Sequence, residues 1–351
     1  MSTGKNESLE KQQRFFNRIT RDISDGLIFV DNHGIVQYLN PSAEMLLGTE
    51  SLKEGVKIAP FIQEDIRHSN DDFLQYILDS IYAKETTHSG DVRYIRTDGS
   101  TRWFHMKTSY AHDEDGLHKT GVILQFSDIT DQQKAKQKYS DAIMVLISMI
   151  AVMAIWNYIY AVWDQLGRPL SSSVLSYIIE MIGLVGTLLA LHYTSITVTD
   201  FGLGFYNIRK SIRFNSILTF VILTVMIMTK LCVQRFFPNI ISPDKPLFNW
   251  SAVSLATYLY PLSVVLQEFL TRGAAQGCLE RVLPDNSSPA ISIIVSSLFF
   301  GAIHVHKGLA FMLGAAALLS FFGVLYKKQG TIWGLCIPHF FLGLSLTLLW
   351  G

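Results

Sequence analysis

QEFLTRG (Gln267–Gly273), FFGAIH (Phe299–His304) and GTIWGLCIPHFFLG (Gly330–Gly343) decide how this 351-residue chain is read. The sequence around these motifs is almost wholly apolar, so Glu268, Arg272, His304 and His339 are expected in or near hydrocarbon. Ionisable groups are expensive there and usually mark function. Glu268 and Arg272 stand four apart with Glu first, the helical spacing at which side chains share a face and pair. Phe300 and His304 have the same spacing. A carboxylate with two neutral imidazoles can polarise a water or hold a divalent metal. The same residues also suit a hydrogen-bonded network that only locks helices together. No residue is assigned to a metal, because Glu with two His serves metal-free water activation equally well. His306 is expected at the interface, outside the cluster. HExxH, GxSxG and Walker motifs are absent, which leaves the familiar soluble hydrolase mechanisms without support.

Outward from these motifs, apolar runs at 142–163, 172–195, 214–233, 251–270, 289–306, 309–326 and 331–350 are each near bilayer-crossing length. They predict an all-α membrane domain of about seven spans, or eight if a half-buried piece around Ala274–Leu283 counts. With the N-terminal domain cytoplasmic, Lys134, Lys136, Lys138, Arg209, Lys210, Arg213, Arg272, Arg281, Lys327 and Lys328 all fall on the cytoplasmic side. That is the positive-inside bias, and Trp163, Trp250, Trp333 and Trp350 near span ends fit interfacial anchors. Glu180 in the second run and Lys230 in the third share the outer half, which predicts an ion pair between them. Pro261 is a candidate break in the fourth run.

Charge divides the chain. Of 29 basic and 29 acidic residues, 17 and 21 lie in the first 140 positions, so a normally charged domain precedes a charge-poor one. Zero net charge gives no attraction to nucleic acid, and none is expected as a partner. Cys232, Cys278 and Cys336 show no metal spacing and read as small apolar residues. The polar opening MSTGKNESLEKQQ lacks a signal-type apolar core, which points the first domain to the cytoplasm.

In that half, residues Ser8–Ile23 have helix-like apolar spacing. Leu27–Val30 and Ile35–Leu39 read as strands around a turn at Asp31–Gly34. Asn40-Pro41-Ser42 opens a short helix, with Asn40 or Ser42 as cap. A helix over Asp71–Ala83 precedes three strands, Gly90–Arg96, Thr101–Tyr110 and Thr120–Asp128. DGLIFVD, NPSAE, TDGS–RWF and FSDIT in this order resemble the PAS sensor family over residues 14–132. The resemblance implies an α+β domain with a five-stranded antiparallel sheet that senses a small molecule or a protein and often forms homodimers. The cofactor is left unknown: haem through His68 or His88 and an empty protein-binding pocket are both open, whereas this half has no cysteine for a flavin photosensor.

From Asp131 to Leu166 there is neither Gly nor Pro, so a helix leaving the sensor can run through a linker at 133–141 into the first span. Residues 1–13 read as a polar N-terminal segment and 142–351 as the membrane domain. The order Glu-xxx-Arg-Gly, Phe-xxx-His and Gly-Thr-Ile-Trp…His, with FGLGF at Phe201–Phe205, resembles the CPBP (ABI, CAAX-type) membrane family over residues 200–351. The resemblance implies a glutamate/histidine intramembrane endopeptidase acting on a peptide or membrane-protein substrate. Glu268 is then the base, Arg272 its orienting partner, and His304 and His339 the water or oxyanion partners. Two positions depart from the pattern: Gln267 stands where the family has Glu, and Gly343 where it has Asn or Asp. The competing expectation is therefore an impaired signalling or immunity protein whose cavity binds a peptide or lipid.

Overall fold

The computed structural model describes residues 15, 18–49, 52–59, 70–82, 88–113, 115–284 and 287–350. Two compact units divide it, Met1–Lys136 and Gln137–Gly351.

The first unit contains β1 (Gly26–Asp31), β2 (Val36–Leu39), α1 (Pro41–Leu47), α2 (Asp71–Tyr82), β3 (Ser89–Ile95), β4 (Thr101–His112) and β5 (Lys119–Asp128). The antiparallel sheet runs β2-β1-β5-β4-β3. The leading helix expected over Ser8–Ile23 is described in part, and 18–22 is helical. Asn40 is the α1 cap and Pro41 begins the helix, while Gly48 ends it in a left-handed conformation (φ 67°). Asn40 is fully buried, and its amide satisfies four backbone groups. Oδ1 accepts from Leu27 N and Ala43 N at 2.9 Å, while Nδ2 donates to Thr20 O at 3.0 Å and Asp25 O at 2.9 Å. The sheet also grips the open carbonyls at both helix ends. Arg96 donates to Met45 O and Leu46 O of α1, and Lys119 Nζ to Ser80 O and Ile81 O of α2.

Phe73, Tyr94, Phe104 and Phe126 fill the interior, with neighbouring ring centroids 5.0 to 6.5 Å apart. Burial pushes the Tyr94 phenol up to about 12, so it remains neutral there. His88 is exposed beside the start of β3, and His68 lies outside the described residues.

One unbroken 36-residue helix, α3 (Thr130–Gln165), follows. Then come α4 (Ser172–His192), α5 (Ile208–Phe236), α6 (Leu255–Glu268), α7 (Gly277–Val282), α8 (Ser288–Ile303), α9 (Leu309–Gln329) and α10 (Cys336–Trp350). Among the described residues, five helices are long and apolar enough to cross a membrane: α3, α4, α5, α9, and α8 with its extension to Lys307. The 251–270 and 331–350 runs instead form α-helices of 14 and 15 residues. At 1.5 Å per residue these reach only about 21–23 Å of a ~30 Å hydrocarbon layer. The α6 path does not stop at Glu268. It continues as a π-helix over Phe269–Gln276 into α7, so the separate piece expected at Ala274–Leu283 is a continuation. Pro261 lies inside α6, which continues through it.

The polarity of α5 is inverted relative to a helix in water. Ser211, Asn215 and Thr219 are buried, whereas Phe214, Ile217, Phe220, Val221, Val225 and Met228 are exposed. A hydrocarbon layer covers such a face at no cost; water does not. The ion pair expected between Glu180 and Lys230 is absent. Lys230 Nζ donates to Pro246 O and Leu247 O, both at 2.9 Å, because the connection after α5 folds back over it. Arg272 does not sit on a cytoplasmic turn either; it is fully buried in the π-helix.

The FGLGF loop is held by the GTIWG segment. Ile332 N donates to Gly202 O at 3.1 Å, Trp333 Nε1 to Leu203 O at 3.1 Å, and Trp333 stacks on Phe205. Gly334 leaves room for α5, since a β-carbon there would fall on Ser211 Oγ and 2.7 Å from Asn215 Nδ2.

Candidate active site

Adjacent residues on α6 serve two different environments, because helical neighbours point about 100° apart. Glu268 faces inward to α10 and has no exposed surface. Its Oε1 lies 2.6 Å from His339 Nδ1, and its Oε2 is 3.6 Å from Arg272 Nε. Arg272, also without exposed surface, donates from Nη1 to Gln276 Oε1 at 2.9 Å. Gln276 donates in turn to Gly323 O at 3.1 Å and Glu280 Oε1 at 3.2 Å. Gly323 is required by this network: a β-carbon there would lie 2.7 Å from Arg272 Nη1. Glu268 Oε2, Arg272 Nε and Arg272 Nη2 have no hydrogen-bond partner among the described residues, so the Glu268–Arg272 attraction is purely of charge.

Gln267 faces the other way, onto a cavity of about 650 Å³ bordered by α3, α4, α6, α8 and α10. The polar wall includes Glu180, Ser263, Gln267, Tyr260, His304 and Lys307. Gln267 Nε2 donates to Glu180 Oε1 at 2.5 Å, and Ser263 Oγ donates to Glu180 Oε2 at 2.6 Å. His304 Nδ1 lies 3.2 Å from Phe300 O. A carbonyl only accepts, so Nδ1 carries the proton and Nε2 of the neutral ring keeps its lone pair. His306 also lines the cavity, contrary to its expected place apart. Its ring stacks on His304 with centroids 6.3 Å apart, and Ser176 Oγ approaches Nε2 at 3.4 Å.

Of the four residues singled out by motif, the structure brings Glu268, Arg272 and His339 together behind the wall and leaves His304 on it. Among the described residues no hydrogen bond joins His304 to the other three, and no group of three or more His, Cys, Asp or Glu is placed to hold a metal. At Gly343 a β-carbon would fall on the Tyr260 hydroxyl, so that phenol occupies the place where a side chain would stand. The motif reading missed Glu180 as a cavity residue, and with it Ser263 and Tyr260. Its one available signal was a carboxylate in the middle of an apolar run, assigned instead to Lys230. The i, i+4 pair Ser263–Gln267 marks the same face in retrospect.

Residues 249–345 match the family described as type II CAAX prenyl endopeptidase Rce1-like, and residues 14–129 match the PAS fold. No curated protein matches the chain. Similar solved structures include a PAS domain from Colwellia psychrerythraea, 16% identical, covering 35% of this chain and 98% of that one, with a TM-score of 0.28. The PAS domain of an HTR-like protein from Haloarcula marismortui is 20% identical, covering 36% and 98%, with a TM-score of 0.28. A sensory box histidine kinase/response regulator from Burkholderia thailandensis is 18% identical, covering 34% and 88%, with a TM-score of 0.27.

Proposed function

We propose, for a chain that joins a PAS domain to an Rce1-like CAAX-protease domain, an intramembrane endopeptidase controlled by a cytoplasmic sensor. The observation that supports this most is the cavity of about 650 Å³, whose wall carries a carboxylate, imidazoles and hydroxyls among apolar helices. A water occupies about 30 Å³ of liquid volume, so the space takes a water together with part of a peptide. His304 contacts the water through its unprotonated Nε2. Glu268, Arg272 and His339 act as positioning residues: their contacts set the rotation of α6 against α10 and thereby aim Gln267 and Ser263 at the cavity.

Control reaches the site through α3. Its Asp141 is buried and accepts from Ser195 N at 2.8 Å and Ser195 Oγ at 2.5 Å. The segment beyond Ser195 leads to Phe201, whose ring meets Phe269 of the π-helix at 5.8 Å between centroids. A β-carbon at Gly273 would lie 2.7 Å from Phe201 Cβ, so a shift in this segment presses directly on the helix that carries Arg272. The signal is a small molecule or protein at the PAS domain, and the substrate a peptide or membrane-protein segment.

The test is a survey of protein termini in membranes holding wild type, Glu268→Gln or His304→Ala at equal abundance. Termini present only with wild type are expected. If the three samples match while all the proteins are folded, the cavity is a receptor for peptide or lipid.

A further inference from the structure

We propose that Glu180 is the general base of this site, serving from α4 in place of a carboxylate at position 267. The proposal rests on the endopeptidase reading above. A base must reach the cavity, and Glu268 does not: it has no exposed surface, with one oxygen on His339 and the other beside Arg272. Glu180 does line the cavity. A carboxylate offers about four lone-pair sites. Gln267 and Ser263 each use one, at 2.5 and 2.6 Å, which leaves lone pairs for a water.

On this view Gln267 is not a lesion. A glutamate at 267 would put two carboxylates within hydrogen-bond distance, and such a pair cannot both ionise. The amide instead donates to Glu180, a contact that carries no like-charge repulsion. The carboxylate of this hydrogen-bonded pair stands on α4 and the amide on α6, and the base stays on the cavity wall.

The reaction is peptide hydrolysis. Glu180 takes a proton from water while the water oxygen bonds to the scissile carbonyl carbon, whose π pair moves onto its oxygen. Collapse re-forms the C=O and breaks the C–N bond. The pair leaves with nitrogen, which takes the proton back from Glu180. One water is consumed, new carboxyl and amino termini form, and Glu180 ends in its starting charge state.

The experiment compares full-length wild type, Glu180→Gln, and the transposed double variant Glu180→Gln/Gln267→Glu in native membranes, at matched abundance, by the same survey of termini. Loss of a general base lowers the rate about 100-fold or more. Glu180→Gln is therefore expected to lose the wild-type termini, and the double variant, which returns a carboxylate to the other side of the pair, to regain them. Wild-type cleavage that persists in a folded Glu180→Gln overturns the role of Glu180 and leaves the endopeptidase standing. Absence of cleavage in wild type overturns both. Should Glu180→Gln fail to accumulate, the double variant decides: abundant and cleaving supports the base, abundant and silent reduces the pair to a structural contact and overturns it.

Discussion

Arg272→Met tests whether the buried Glu268–Arg272–His339 group holds the membrane domain in its working arrangement. Arg272 and Glu268 both have side chains with no exposed surface, 3.6 Å apart. At an effective dielectric of about 20, two unit charges at that distance attract by about 5 kcal/mol, before the desolvation that opposes it. Removing only the guanidinium leaves Glu268 buried beside the single partner His339, and breaking such a pair costs about 3–5 kcal/mol. For a domain of this size each kcal/mol lowers the apparent Tm by about 2–4 °C, so a fall of about 10 °C is expected. Glu268→Gln/Arg272→Met removes both charges and should recover at least half of that loss. With the half-buried Cys336 replaced by Ser in every variant, the protein carries its own probe, because Cys278 is fully buried and Cys232 exposed. Heating the purified full chain in detergent with a thiol-reactive dye reads unfolding as the onset of Cys278 labelling above the constant Cys232 signal. The reasoning is refuted if Arg272→Met unmasks Cys278 at the wild-type temperature, or if the double variant is no more stable than the single.

Four further outcomes follow from the contacts. Asn40→Ala removes the side-chain partner of four backbone groups, of which Ala43 N keeps the Asn40 carbonyl, and, at about 1 kcal/mol for each of the other three, should lower hydrogen-exchange protection of β1 and α1 about 100-fold; unchanged protection would refute it. Gly343→Ala sets a β-carbon on the Tyr260 hydroxyl and should destabilise the membrane domain by about 1–3 kcal/mol, with Tyr260→Phe restoring part of the loss, both read by Cys278 labelling. Burial raises the Asp128 carboxyl, but bonds from Thr130 and the charge of Arg102 outweigh it and hold the group below its usual value. A depressed folded value means stability present above the unfolded pKa of about 3.9 and lost as pH falls through the folded one, so Asp128→Asn should flatten PAS acid unfolding below about pH 4. Asn40→Ala should also change the yield of termini through the PAS domain, and Asp141→Ala, which cuts the link from α3 to Ser195, should leave cleavage in place but abolish that response.

The sequence alone determined what local chemistry determines. Alternating strands, the Asn40-Pro41 helix start and the glycine turns marked where the five strands fall along the chain, because turn residues and side-chain alternation act over a few positions, whereas the pairing of β1 with β5 came only from the tertiary structure. Apolar length marked the five helices long enough to cross a membrane but overcounted at 251–270 and 331–350, and i, i+4 spacing placed Glu268 beside Arg272. Only the tertiary structure decided how the helices rotate about their axes. That rotation separates Gln267 from Glu268, sending one to the cavity and the other to His339, although they are neighbours in the chain. It also brings Glu180 to Gln267 across 87 positions, and Lys230 was satisfied by the carbonyls of Pro246 and Leu247 instead of by Glu180. In an apolar layer a lone polar group gains from any donor or acceptor within reach, so its partner follows from packing and not from charge sign or spacing along the chain.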